Sequence, residues 1–127
     1  MKALTIKEPW STLIIDGYKE YEFRSWKTNY RGKLLIHSGS SIEHGDFKKF
    51  ESYNLKCNPG YIIGEVNLVD CIKVDDKLNS ELTKRNKLIY GRKSHIGYYA
   101  WKLKDVKRYK NPIPCKGKLG IWNYDKK

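Results

Sequence analysis

The run Asp16-Gly-Tyr-Lys-Glu-Tyr-Glu-Phe-Arg-Ser-Trp26 sets Lys19, Glu20, Glu22 and Arg24 among aromatic residues. Just upstream, Pro9 stands where a helix starts without loss, because its missing N–H is one of the first-turn donors that lack a partner anyway. Trp10, Leu13 and Ile14 then share one face at i, i+3 and i+4, and Gly17 offers the left-handed conformation that would end this helix at Asp16. From Tyr18 the period becomes two: Tyr21 and Phe23 point one way, and Glu20, Glu22, Arg24 and Trp26 the other. A strand of this kind holds Glu22 and Arg24 about 7 Å apart at Cβ, close enough to pair or to touch one ligand. The competing reading is a solvated face with a surface ion pair worth at most about 1 kcal/mol.

Around this helix-to-strand switch the remaining pattern is that of a curled sheet. Ala3–Ile6 reads as a first strand, Lys27–Gly32 as a turn, and Lys33–Ser38 as a strand buried on both faces by its consecutive aliphatics. A loop from Gly39 leads to a helix that Asp46 would cap, with Phe47, Phe50 and Tyr53 as its inner stripe. Tyr61–Val74 is the longest strand signal, and Gly64 within it predicts a bend or bulge. Residues 75–95 read as an exposed basic excursion with a weak helix from near Ser80. Ile96–Leu103 and Leu119–Tyr124 read as strands, with Asn111–Gly120 as a proline-bearing loop between them. The expected fold is α+β: a small, partly closed β-barrel of five or six strands with two or three flanking helices, one domain over residues 1–127.

Composition narrows the partners. With 39% apolar and 13% aromatic residues the chain has the hydrophobic content to fold. It shows no spanning apolar run and no secretory pattern, so a cytoplasmic protein without a membrane partner is expected, as a monomer. The three cysteines, Cys57, Cys71 and Cys115, are odd in number and widely spaced, which predicts reduced thiols, no metal and no cofactor. The net charge of +12 is uneven: residues 1–75 carry 11 basic and 10 acidic side chains, residues 76–127 carry 15 and 4. A one-sided basic surface attracts polyanions by releasing their counterions, so RNA is the first partner to consider and DNA the second. Lysine-rich composition shared with abundant Ile, Asn and Tyr is the bland alternative.

The densest basic run is Lys102, Lys104, Lys107, Arg108 and Lys110, which with Tyr109 makes a candidate track for a nucleic-acid backbone, or else a solvated loop. Trp26, in phase with Glu22 and Arg24, is a candidate to stack on a base. Arg31 in the Tyr-Arg-Gly turn either reaches a phosphate or fixes the turn. His37 and Ser38 end a strand where a pocket rim would be, though a histidine beside Leu35 and Ile36 is more often a hydrogen-bonded core residue, and His44 and His95 read as loop residues.

The spacing Gly17-x-Lys19-x-x-Glu22-x-Arg24 resembles the G-x-K-x-x-E-x-R signature of the ASCH domain family. The start Met-Lys-Ala-Leu-Thr-Ile-Lys-Glu-Pro-Trp, the block from Trp26 to Ser38, Ile62–Asp70, Tyr98–Leu103 and Pro112–Trp122 are similar to the family's other blocks. The resemblance leaves out only the middle segments 39–60 and 75–95. It implies a PUA-like barrel whose signature, with Lys19, Glu22 and Arg24, lines a cleft for RNA or a modified nucleotide; Trp26, Arg31 and Ser38, read from their own positions, complete the expected ligand set. In an enzymatic version Lys19 would stabilise developing negative charge and Glu22 would move a proton. One compact bacterial ASCH enzyme removes the acetyl group from N4-acetylcytidine, but it carries Thr where Glu22 stands, so its acyl-accepting hydroxyl has no counterpart here. A ribonuclease is a further enzymatic reading, and a protein-interaction module a third class that needs no cleft.

Overall fold

The computed structural model describes residues 1–125. Six strands form one mixed sheet: β1 (Lys2–Glu8), β2 (Tyr21–Arg24), β3 (Gly32–Ile42), β4 (Tyr61–Lys73), β5 (Tyr99–Pro114) and β6 (Ile121–Asn123). Their order is β2-β5-β4-β3-β1-β6, so the sheet is barrel-like but not closed, with β2 and β6 at its edges. β1 runs parallel to β3 and every other pairing is antiparallel. Four short α-helices accompany it: α1 (Trp10–Ile15), α2 (His44–Lys49), α3 (Asp76–Arg85) and α4 (Lys87–Tyr90), with a 3-10 turn at Glu51–Tyr53. None of the described helices is long and apolar enough to cross a membrane.

The α1 helix is buried from Ser11 to Ile15, and its chemistry follows from that position. Leu13 faces a cluster with Tyr21, Phe50, Leu82 and Tyr90, whereas Ile14 and Ile15 face another with Leu4, Leu34, Ile63 and Trp101. Buried hydroxyls need partners. Glu8, itself wholly buried, provides them: its Oε1 accepts from the Thr12 backbone N–H at 3.0 Å, and its Oε2 accepts from Thr12 Oγ1 and Ser38 Oγ, each at 2.7 Å. Consecutive Leu34, Leu35 and Ile36 are buried because the two faces of β3 serve different cores, Leu35 joining Ala3, Ile62 and Trp122 on the far side.

Gly64 marks a register shift between β4 and β5. A Cβ there would overlap the Lys107 carbonyl oxygen and come within 2.9 Å of Ile15 Cδ1, so backbone would have to move. Gly64→Ala is therefore expected to lower stability by about 1–3 kcal/mol, the usual cost of overpacking, read as a shift of the urea midpoint. An unchanged midpoint would show that the two strands can separate freely here.

Several local expectations differ from what the structure has. Asp46 lies inside α2, whose N-cap is Glu43; it is buried and pairs with Arg92 at 2.9 Å, and Phe47 points outward while Phe50 is buried. The 75–95 segment starts its helix at Asp76, capped by Asp75 Oδ1 on the Leu78 N–H at 2.8 Å, and Leu82, Ile89 and Tyr90 bury an inner face that its polar composition concealed. β3 continues through Ser38 to Ile42. β5 begins at Tyr99 but runs on to Pro114 instead of stopping at Leu103. On its outer side β5 pairs with β2 only over Tyr99–Lys102, leaving no described strand beside the rest, where prolines are tolerated because no ladder bond is asked of them.

Candidate functional site

Lys19 owes its position to the way α1 stops. Gly17, at φ 86°, donates to Ile14 O at 3.0 Å and Tyr18 N–H donates to Leu13 O at 2.9 Å, the paired bonds of a Schellman cap. The Lys19 N–H also donates to Leu13 O, at 3.1 Å, so the chain is still tied to the helix when it reaches the lysine. β2 then sets Glu22 opposite Trp101 and Arg24 opposite Tyr99 on β5.

The three head groups converge. Lys19 Nζ donates to Glu22 Oε1 at 3.0 Å, while Arg24 donates through Nε to Glu22 Oε2 at 3.1 Å, with its NH2 nitrogen 2.9 Å from the same oxygen. Arg24 NH2 also donates to the Thr5 carbonyl at 2.9 Å, anchoring β2 to β1 across the opening. The side chains of Lys19 and Glu22 are 5% and 10% exposed, which removes the surface-pair account. Lys19 Nζ lies 5.1 Å from the Phe23 ring centre and 5.7 Å from that of Trp10. Burial pushes the Lys19 ammonium below its usual value, and Glu22 opposes this only in part. For Glu22 burial pushes upward, but the charges and hydrogen bonds of Lys19 and Arg24 outweigh it, holding the carboxyl below its usual range.

The trio walls a cleft of about 580 Å³, within the range of small-ligand sites. Trp26 stands on its rim, 38% exposed and edge-on to Trp101 at 4.8 Å between ring centres. Opposite, the 75–95 segment contributes Arg92, Lys93 and His95. His95 stacks on Phe23 with centroids 3.9 Å apart. Burial, followed by Lys19, Lys93 and Arg92, pushes its pKa down to about 4, so it is a neutral ring above mildly acid pH. His95 is a loop residue, as expected, but no local period signals that 75–95 folds back over β2, so nothing in the sequence marks these three as wall residues. Glu20 precedes β2 and, contrary to strand parity, turns outward to Arg85 at 2.9 Å.

Arg31 and Ser38 are not among the residues that line the cleft. Arg31 donates to the carbonyls of Thr28 and Tyr30 at 3.0 and 2.8 Å, fixing its turn. Ser38 is wholly buried on Glu8. The run of Lys102, Lys104, Lys107, Arg108 and Lys110 lies within β5, away from the cleft lining. Arg108 is engaged by Asp16 Oδ1 at 2.6 Å and the Lys56 carbonyl, and Tyr109 donates to Glu65 at 2.9 Å, so neither is free to meet a ligand without giving up a partner. The three cysteines are unpaired thiols, and burial raises that of Cys57 to about 11. Among the described residues no group of three His, Cys, Asp or Glu could hold a metal ion.

A six-stranded, barrel-like sheet with helices packed against it and a Lys-x-x-Glu-x-Arg cleft beside α1 defines an α+β protein of PUA-like fold. The chain belongs to the ASCH domain family, whose model matches residues 4–113. Its fold is similar to the crystal structure of an ASCH protein from Zymomonas mobilis, with a TM-score of 0.57 at 15% identity over 89% of this chain and 72% of that one. Two point mutants of that bacterial protein superpose likewise, with TM-scores of 0.54 and 0.55 at 17% and 16% identity, each over 89% of this chain and covering 74% and 72% of theirs. At such identities the likeness is one of fold. None of the curated proteins matches the chain in sequence.

Proposed function

We propose that the protein binds RNA or a modified nucleotide, the base entering the Lys19–Glu22–Arg24 cleft and the basic second half drawing in the backbone. The observation that carries this reading is a buried carboxylate held between two cations in an aromatic-walled cleft of nucleoside-compatible size. Trp26 offers a ring face to stack on, Glu22 an acceptor for an exocyclic amine, and Arg24 a donor for a carbonyl or phosphate oxygen. Binding is favoured over hydrolysis by the electrostatics of Glu22. A general base works best with a pKa near the operating pH, and a carboxylate pulled below its usual range by two neighbours takes up a proton poorly.

The test is to incubate the protein with a panel of modified nucleosides, N4-acetylcytidine included, and short RNAs, scoring both capture and product. Capture without product is expected. Trp26→Ala should weaken it by about 1–3 kcal/mol, the usual worth of one base–aromatic stack, with little change in folding. RNA affinity should fall as salt rises. Product formation that Glu22→Gln abolishes would replace this reading with the enzymatic one. Undiminished function in a Lys19→Ala/Arg24→Ala protein would replace it with protein interaction.

A further inference from the structure

A second cavity of about 840 Å³ lies between Thr5 and Lys7 of β1, the end of β3 and the 115–119 loop. Three cations, Lys7, Lys116 and Lys118, line it, and no carboxylate does. Among the described residues Lys116 and Lys118 belong to no ion pair, whereas Lys7 meets Glu43 at 3.1 Å. Gly39, Gly60 and Gly117 leave the backbone bare at its wall, and Ser40 and Ser41 add hydroxyl donors. Its floor is rigid. Trp122 Nε1 donates to Thr5 Oγ1 at 3.1 Å, and the Thr5 hydroxyl lies 3.2 Å from His37 Nδ1. His37 Nε2 is 2.6 Å from the Cys115 carbonyl, which can only accept. The Nε2 nitrogen therefore donates to that carbonyl, and in the neutral ring Nδ1 accepts from the Thr5 hydroxyl while the indole donates to the same oxygen. Gly117 closes over this chain so tightly that a Cβ would lie 2.5 Å from Thr5 Oγ1 and 2.8 Å from His37.

The cavity shares part of its lining with the cleft. Thr5, Lys7 and Leu119 line both, and Leu119 is 98% exposed at the divide. We infer that this second cavity is a phosphodiester subsite, where Lys116 and Lys118 take the phosphate and sugar flanking the base held in the cleft, the strand crossing over Leu119. The inference rests on the reading of the cleft as a nucleotide site. Two ammonium groups outside the described ion pairs, beside bare backbone and hydroxyls, are chemistry for a phosphate, and their junction with an aromatic cleft is what a strand needs to fill both.

The experiment compares the protein with its Lys116→Ala/Lys118→Ala and Trp26→Ala variants. Binding of a short, mixed-sequence, fluorescein-labelled single-stranded RNA is titrated at several salt concentrations, with unlabelled ribonucleosides as competitors. The lysine variant is expected to bind the RNA about tenfold less tightly, as for loss of one charge-assisted contact. Its salt slope should flatten by about 0.7 per phosphate released, with nucleoside competition and melting temperature unchanged. Equal RNA affinity and slope in this variant, while Trp26→Ala still weakens binding, would overturn the second subsite and leave the cleft reading standing. If Trp26→Ala and the lysine variant both match the parent, the cleft reading and the subsite fall together.

Discussion

Glu22→Ala is expected to cost about 3–5 kcal/mol of folding stability, the range for breaking a buried ion pair from one side. The loss is large because Lys19 would then hold an ammonium in a site only 5% exposed with its carboxylate gone, while Arg24 would keep just the Thr5 carbonyl. Replacing the pair together, as Lys19→Met with Glu22→Leu, should return most of the loss, since two apolar side chains need no charge to be compensated. Urea unfolding of the three proteins measures this, and a single variant within about 1 kcal/mol of the parent would mean that the pair behaves as a surface one. The pH dependence has a definite sign. A carboxyl whose folded pKa is depressed contributes fully above its unfolded value of 4.5, and the contribution is withdrawn as pH falls through the lower folded value. Acid unfolding of the parent should therefore be steeper below pH 4.5 than that of the paired replacement.

Glu8→Ala should be comparably severe although Glu8 is remote from the signature run. Its removal strips acceptors from the Thr12 N–H, the Thr12 hydroxyl and the Ser38 hydroxyl, all buried, at about 1–3 kcal/mol for each group left unpaired. Ser11 donates to Ser38 Oγ at 3.3 Å, so the disturbance would spread into α1. Glu8→Gln should be milder: its amide oxygen can keep the Thr12 N–H, and its NH2 can donate to the two hydroxyls if their protons turn away. Melting temperatures in the order parent, Gln, Ala are expected. An alanine variant as stable as the parent would show that water replaces the carboxylate, and that α1 is not held by it.

The legibility of this protein follows the range of the forces involved. The end of α1 and the strand after it were readable because Gly17 and the alternation of Tyr21, Glu22, Phe23 and Arg24 act within a few residues. Long strands β3 and β4 announced themselves by runs of aliphatic residues, though β3 continues past the point where its apolar run ends. Harder to read was anything decided by docking. His95, Arg92 and Lys93 reach the cleft from a segment whose polar composition outweighed the few apolar residues that fasten it, Leu82, Ile89 and Tyr90. Asp46 looked like a cap because caps are its commonest use, but Arg92, far along the chain, lets it be buried inside α2. Arg31 sits in its expected turn, held by a pair of carbonyls, whereas Ser38, expected at a strand end on a pocket rim, lies inside β3 on Glu8. The partners of Arg31 lie in its own turn, whereas only the three-dimensional fold brings Glu8 to Ser38.

Past Lys102, the outer flank of β5 exposes Lys104, Lys107 and Lys110 where, among the described residues, no neighbouring strand covers it. Bare strand flanks invite another molecule to zip on, and a row of like charges there makes the two copies repel before their ladders can join. The positive charge along β5 thus opposes edge-to-edge pairing of two copies whether or not a polyanion is bound.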